Sequence, residues 1–404
     1  MSTHKWQFAS RFRRHAFGWR SDTPIQRIKE AVSEIKQVAR KEPGVAAEGA
    51  VTLLEKLAPA LEQVDSSSGS IGSAVNRAID SLVPIIVKAD VDHVVRQRWL
   101  ERLWRAVEDD GVSYIEGLGD FWGELCVSAD IAAAWADEFL PLVEQAWARR
   151  ASGPAFFKGT SACLASLLAA GRHEQLLSLL DRAPFKWWHD RRWGVQALAA
   201  LGRKAEAIRY AEESRGLNEP GWQIAQACEA ILLSSGMLDE AYLRYAVEAN
   251  QGTTNIATFR AIAKKYPNKS AQDILHDLVE SQPGAEGKWF AAAKDVGLFD
   301  LAIELAARSP TDPRTLARAA RDYCDEQPDF AVAAGLASLN WIALGHGYEI
   351  TAADVLEAHT ALRQAAKAAK LGEPAVNERV LQMMQGPLPG NQLLRVVLAN
   401  HLKS

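Results

Sequence analysis

Four glycines in the middle of the chain constrain its fold more than any other feature, because each occupies the same place in a recurring pattern. Leu168-Ala169-Ala170-Gly171-Arg172-His173-Glu174-Gln175-Leu176-Leu177 aligns with Ala199-Ala200-Leu201-Gly202-Arg203-Lys204-Ala205-Glu206-Ala207-Ile208. Leu233-Ser234-Ser235-Gly236-Met237-Leu238-Asp239-Glu240-Ala241-Tyr242 and Lys294-Asp295-Val296-Gly297-Leu298-Phe299-Asp300-Leu301-Ala302-Ile303 are two further copies. Successive glycines are 31, 34 and 61 residues apart, so one more copy is expected in the long interval. Ala263-Lys264-Lys265-Tyr266-Pro267-Asn268-Lys269-Ser270 lies there, with a Tyr-Pro turn in place of glycine. Glycine supplies the left-handed residue that ends one helix, and a small residue such as Ala207 or Ala241 five positions on lets the next helix pack closely. The expected unit is a helix-turn-helix that buries its apolar face only against its neighbours, stacking into a superhelix or arc with a concave side.

Helical periodicity extends beyond the repeats, and alternating β-branched runs are nearly absent, so the predicted fold is all-α: a helical-repeat α-solenoid between an N-terminal helical module and a C-terminal helical cap. Thr23-Pro24-Ile25-Gln26 reads as a helix start with a capping box, followed by the stripe Ile25, Ile28, Val32, Ile35 and Val38. Further helices are expected over about 45–64, from near Ser73, and through Trp99 to Val107, with Pro59 and Pro84 as interior prolines. The C-terminal part contains an alanine-rich helix from Thr351 to Leu371, ended by Gly372, and a last amphipathic helix near Leu393 to Leu402. The expected divisions are a basic-aromatic arm over 1–21, the helical module over 22–151, the repeats over 152–309 and the cap over 310–404.

Gly202 with Ala207, and Gly236 with Ala241, make the stretch 155–310 resemble the tetratricopeptide class of helical repeats. The Trp-Leu-Gly-Tyr signature and terminal Pro of that class are not regular here, so the resemblance is to a divergent α-solenoid. It implies a groove that holds a peptide or partner protein. The segments Asp65-Ser66-Ser67-Ser68-Gly69-Ser70-Ile71-Gly72 and Trp122-Gly123-Glu124-Leu125-Cys126 look like parts of uncharacterised bacterial helical proteins, some linked to a SWIM-type zinc finger. The chain has neither Cys-x-Cys nor Cys-x-His, so the resemblance implies a bacterial origin without that metal site.

With 404 residues, 48% hydrophobic and a net charge of -4, the chain is long enough for two or three domains and is not a polybasic binder as a whole. Cys126, Cys163, Cys228 and Cys324 form no C-x-x-C pair, which suits buried thiols in a reducing compartment. No secretory signal and no run of ~18 apolar residues is apparent, so the expected location is cytoplasmic. Gly69-Ser70-Ile71-Gly72-Ser73 lacks a phosphate-binding Lys, and Gly117-Leu118-Gly119-Asp120-Phe121-Trp122-Gly123 has its third glycine one place late, so both read as turns. Nine histidines are scattered with no pair at helical spacing, and there is no G-x-S-x-G or H-E-x-x-H. No catalytic residue, metal or cofactor is predicted, and the expectation is a non-enzyme.

Thirteen Trp is a high count, and Trp99, Trp104, Trp122, Trp135 and Trp147 at their spacing read as inter-helix core. Phe185-Lys186-Trp187-Trp188-His189-Asp190-Arg191-Arg192-Trp193 differs, because three Trp in seven residues cannot all share one helix face. Lys186, Trp187, Trp188, Arg191, Arg192 and Trp193 are therefore the predicted partner-binding residues of a protein- or peptide-binding scaffold. The alternative is a nucleic-acid-binding accessory factor that adds the arm residues Lys5, Arg11, Arg13, Arg14 and Arg20. Residues 1–41 carry ten basic against three acidic side chains. That arm either docks on an anionic partner or lies on the protein's own acidic body, with its aromatics Trp6, Phe8, Phe12, Phe17 and Trp19 covering the first helices.

Overall fold

The computed structural model describes residues 4–148, 156–216 and 220–402, and the expected boundary after 151 lies outside them. Among the described residues the chain forms 21 α-helices, a few short 3-10 turns and no strand, so it is an all-α helical-repeat protein. Two compact units divide it, 1–227 and 228–404.

The first unit opens with α1 (Asp22–Ala39), α2 (Pro43–Leu61), α3 (Ser70–Lys88) and α4 (His93–Asp109). α1 packs on both α2 and α3, and α4 packs on α2. α1 starts before the expected capping box, at Asp22, with Ser21 making no side-chain cap. The first four amides of a helix need no intrahelical acceptor, so Pro24 is tolerated at the third position and the helix extends back past it. Pro59 falls in the last turn of α2, where its carbonyl accepts the His15 amide of the arm at 2.9 Å. α3 is long and apolar enough to cross a membrane by length and composition, contrary to the sequence expectation, and Ile71, Val75, Ile79, Leu82 and Ile86 on its apolar face are buried in the core. Its last carbonyls, of Ile86 and Ala89, accept from the buried Arg96 at 2.7 and 2.8 Å, placing a cation at the negative end of the helix.

α5 (Trp122–Cys126), α6 (Ala129–Ala148) and α7 (Thr160–Ala169) continue the unit. Trp104, Trp122, Trp135 and Phe139 pack edge to face or tilted, with centroids 4.6 to 6.1 Å apart, as the core reading of these Trp expects. The glycine-rich stretch before them is a close-packing device: a Cβ on Gly123 would lie 2.5 Å from the Ala165 carbonyl oxygen.

α8 (His173–Asp181), α9 (Trp188–Ala200) and α10 (Lys204–Glu212) complete the first unit, and α11 (Gly221–Ser234) contains the division. The repeat is exact in its backbone. Gly171, Gly202, Gly236 and Gly297 have φ of 71°, 77°, 75° and 76°. The residues after them, Arg172, Arg203, Met237 and Leu298, have φ between -91° and -83° and ψ between 51° and 66°. Each donates its amide to a carbonyl five residues back at 2.9 to 3.0 Å, as in Arg203 to Leu198, which satisfies an end-of-helix acceptor. Ala207, Ala241 and Ala302 are all buried at the packing position.

The second unit holds α12 (Leu238–Ala249), α13 (Asn255–Lys265), α14 (Ala271–Glu280), α15 (Phe290–Asp295) and α16 (Phe299–Arg308). The expected fifth copy is α13 and α14, where Tyr266 ends the first helix and is anchored by its hydroxyl, which donates to the buried Glu229 at 2.7 Å. The same carboxylate accepts from Asn250 and Lys265, each at 2.7 Å, so its charge is compensated inside the unit.

α17 (Pro313–Asp322), α18 (Pro328–Ala343), α19 (Ala352–Ala368), α20 (Glu373–Met383) and α21 (Asn391–Leu398) end the chain. Thr351 and Asp354 form a capping box at the start of α19. The helix stops earlier than expected, and its left-handed residue is Lys370 at φ 59°, not Gly372, which is extended and opens α20.

Candidate functional site

The predicted aromatic-basic patch is split by the start of α9. Trp187 is the extended residue before the helix and is 55% exposed, whereas Trp188 is the first helical residue and only 4% exposed. The Trp188 indole donates to Gln223 Oε1 at 3.0 Å, and Trp193 is buried. Arg191 is 6% exposed, donates to Ser214 Oγ at 2.7 Å and to the Tyr210 carbonyl at 2.9 Å, and lies 3.6 Å over the Tyr210 ring. Trp188, Arg191 and Trp193 are thus turned inward, with Arg191 joining α9 to α10. Arg192 pairs with Asp120 at 2.5 Å and donates to the His189 carbonyl at 2.9 Å. Only Lys186 and Trp187 of the six expected residues stand in solvent.

Trp187 has a different companion from those expected. Its ring stacks on Phe185, with centroids 4.8 Å apart and planes 12° from parallel. The two form one wall of a cleft of about 180 Å³, beside Phe156, which is 75% exposed, and above Trp147 and Phe157. Phe156 and Phe157 lie some thirty residues away in sequence, on the segment leading into α7, so no local pattern announced them. Lys158 also lines the cleft, but its ammonium donates to the carbonyls of Val107, Glu108 and Asp110 at 3.3, 3.2 and 2.5 Å, capping the end of α4.

A polar corner closes the cleft. Ser161 Oγ is 2.8 Å from His189 Nε2, and Asp120 Oδ1 is 3.9 Å from that same nitrogen. A serine nucleophile activated by histidine needs the carboxylate on the opposite ring nitrogen, where it can orient and stabilise the imidazolium. Here serine and aspartate approach one nitrogen, and Arg192 occupies the aspartate. The arrangement positions the His189 ring as part of the wall and does not build a relay.

The arm lies on its own unit. Phe8, Phe12 and Phe17 are buried and packed in a chain of edge contacts 6.4 and 5.5 Å between centroids, whereas Trp19, expected to join them, is 71% exposed. Trp6 covers Gly49 so closely that a Cβ there would collide with its ring. The Gln7 amide donates to Glu34 at 2.8 Å, Arg11 pairs with Glu30 at 3.0 Å, and Arg14 lies 3.7 Å from Glu62. Lys5, Arg13 and Arg20 are exposed and make no ion pair among the described residues.

The thiols of Cys126 and Cys163 are pushed up to about 12 by burial, which makes them poor nucleophiles at neutral pH. His276, Asp277 and Glu280 present ligand atoms within 4.8 Å of one another, all exposed on one turn of α14, and Asp277 accepts the Tyr242 hydroxyl at 2.6 Å. No family model matches the chain, and no curated protein is detectably similar to it in sequence.

Proposed function

We propose that this protein is a non-enzymatic scaffold that binds a protein or peptide segment, with the cleft walled by Phe185 and Trp187 receiving an apolar or aromatic side chain of the partner. The observation that carries this reading is the stacked, solvent-facing Phe185–Trp187 pair sharing a cleft with the exposed Phe156. Covering exposed aromatic area stabilises a complex by ~25 cal/mol per Å², and aromatic anchors in pockets dominate binding energetics. Lys158, Arg192 and His189 beside the cleft are already engaged within the fold, so the aromatic wall carries the binding here. The repeats support the divergent tetratricopeptide-like part of this reading, a class whose members hold partner segments, and a bacterial origin and a cytoplasmic location belong to the same proposal.

Affinity capture from the host lysate, with nuclease present, tests the reading. A defined protein retained by the wild type and lost by Trp187→Ala with Phe185→Ala supports it. Retention unchanged by the two substitutions sinks it.

The second reading, a nucleic-acid-binding accessory factor, is favoured by the unpaired Lys5, Arg13 and Arg20. Since Arg11 and Arg14 already face Glu30 and Glu62, three basic side chains remain for phosphates. Three contacts give a log-log salt slope of about -3, which replacing Lys5, Arg13 and Arg20 with Ala should abolish. An affinity for single-stranded DNA that does not change with salt removes this reading.

A further inference from the structure

A cleft in the second unit, of about 660 Å³, lies between the end of α19 and the start of α20, with His401 at its rim. Its size falls within the ~300–1,000 Å³ of small-molecule sites. Arg363 and Lys367 project from α19, Lys370 stands at the left-handed residue that ends it, and the N-terminal end of α20 opens on the same space. Glu373, the one carboxylate of the lining, is bonded to Arg363. The lining therefore holds three cationic side chains against one acid, beside the positive end of a helix dipole.

A buried polar atom with nothing to bond supplies the second observation. His359 lines the cleft, is 2% exposed, and its Nε2 has no hydrogen-bond partner. Asn377, 8% exposed, lines the cleft as well. A fold leaves few buried polar atoms unsatisfied, because each costs free energy that apolar packing there would avoid. Burial, with Arg363 and His401 nearby, holds the His359 ring down at about 4, so it is neutral at pH 7 and offers a donor or an acceptor rather than another charge. Leu356, Leu371 and Val376 add an apolar strip beside these groups.

We propose that this cleft binds a small organic phosphate of nucleotide size, the phosphate meeting Arg363, Lys367 and Lys370 and the uncharged body lying over His359, Asn377 and the apolar strip. A dianionic head matches three cations and a helix N-terminus better than a single carboxylate does. The space is far larger than a phosphate alone requires.

The test is isothermal titration of the full chain with adenosine 5′-monophosphate, adenosine and inorganic phosphate as separate probes. Saturable binding of the monophosphate, with adenosine and inorganic phosphate each weaker by at least about tenfold, is the expected result. Both lysines are exposed, so Lys367→Gln with Lys370→Gln should fold normally, checked by its melting curve, and should weaken the monophosphate by about tenfold or more. In a histidine-detected NMR spectrum the His359 ring signals should move on titration. No saturable binding of the monophosphate, equal affinity in the double lysine variant, or adenosine binding as tightly as its phosphate would each overturn the proposal. Inorganic phosphate binding as tightly as the monophosphate overturns the role given to the body of the ligand.

Discussion

The two clefts of this protein differ in what the fold has left unspent. Beside the aromatic cleft of the first unit, Lys158 is bonded to three carbonyls, Arg192 to Asp120 and His189 to Ser161, while Phe156, Phe185 and Trp187 face water. In the second unit the difference lies in the polar groups. Leu356 and Leu371 are partly exposed there too, but Lys367 and Lys370 make no ion pair among the described residues and the buried His359 Nε2 has no hydrogen-bond partner. A charged residue near a cleft is therefore no evidence of charge recognition until its partners are counted. An exposed aromatic or an unsatisfied buried polar atom is the better sign.

Adjacent residues give the sharpest way to break that comparison. Trp188→Ala removes a buried ring and its bond to Gln223, and should lower unfolding free energy by about 3–5 kcal/mol in urea denaturation. Lys158→Ala leaves the end of α4 uncapped and should cost about 2 kcal/mol by the same measurement. An unchanged denaturation midpoint for Lys158→Ala would mean that this lysine is free for a ligand, and the contrast between the clefts would fail.

His359 tests the other side. Its value of about 4 in the fold lies below the 6.5 of an unperturbed imidazole, so between these limits the unfolded chain binds more protons. The associated stability is fully present above pH 6.5 and is lost as pH falls through 4. His359→Leu breaks no hydrogen bond through Nε2 and should flatten this part of the pH profile of stability with little loss at pH 7. A steep loss at pH 7 would mean that the ring is already satisfied.

Smaller still, Gly236→Ala forces a Cβ into a backbone at φ 75° and should cost about 1 kcal/mol, read as a lower melting temperature. Trp187→Ala should change stability by only about 0.5 kcal/mol, because its ring is half exposed and its stacked neighbour Phe185 is exposed as well. The gap between Trp187 and Trp188 is the quantity to measure. If it closes, the exposed wall is structural.

Legibility followed the range of the interactions. The turns at Gly171, Gly202, Gly236 and Gly297 were readable because a left-handed residue and a small packing residue are local requirements, met within six positions. The copy at Tyr266 was readable from spacing alone, although its anchoring by Glu229, 37 residues away, was not. Capping at Thr23 and helix termination at Gly372 were misplaced by local rules, since α1 runs back through Pro24 and Lys370 accepts the left-handed conformation. The inward turn of Arg191 and Trp193 had no local signal. For Arg191 it depends on Tyr210 of the following helix and on Ser214 just past its end.

Residue order already specifies an all-α chain with glycine-ended helices repeating every thirty residues or so, because backbone conformation and periodic burial are written residue by residue. Tertiary structure alone decided which charges are consumed and which remain. Lys158 finds its carbonyls 48 to 51 residues away, Phe156 meets Phe185 and Trp187 across a cleft, and His359 loses access to water only when α19, α20 and the residues after α21 close around it. Desolvation and pairing are properties of neighbours in space, and a chain written in order does not name them.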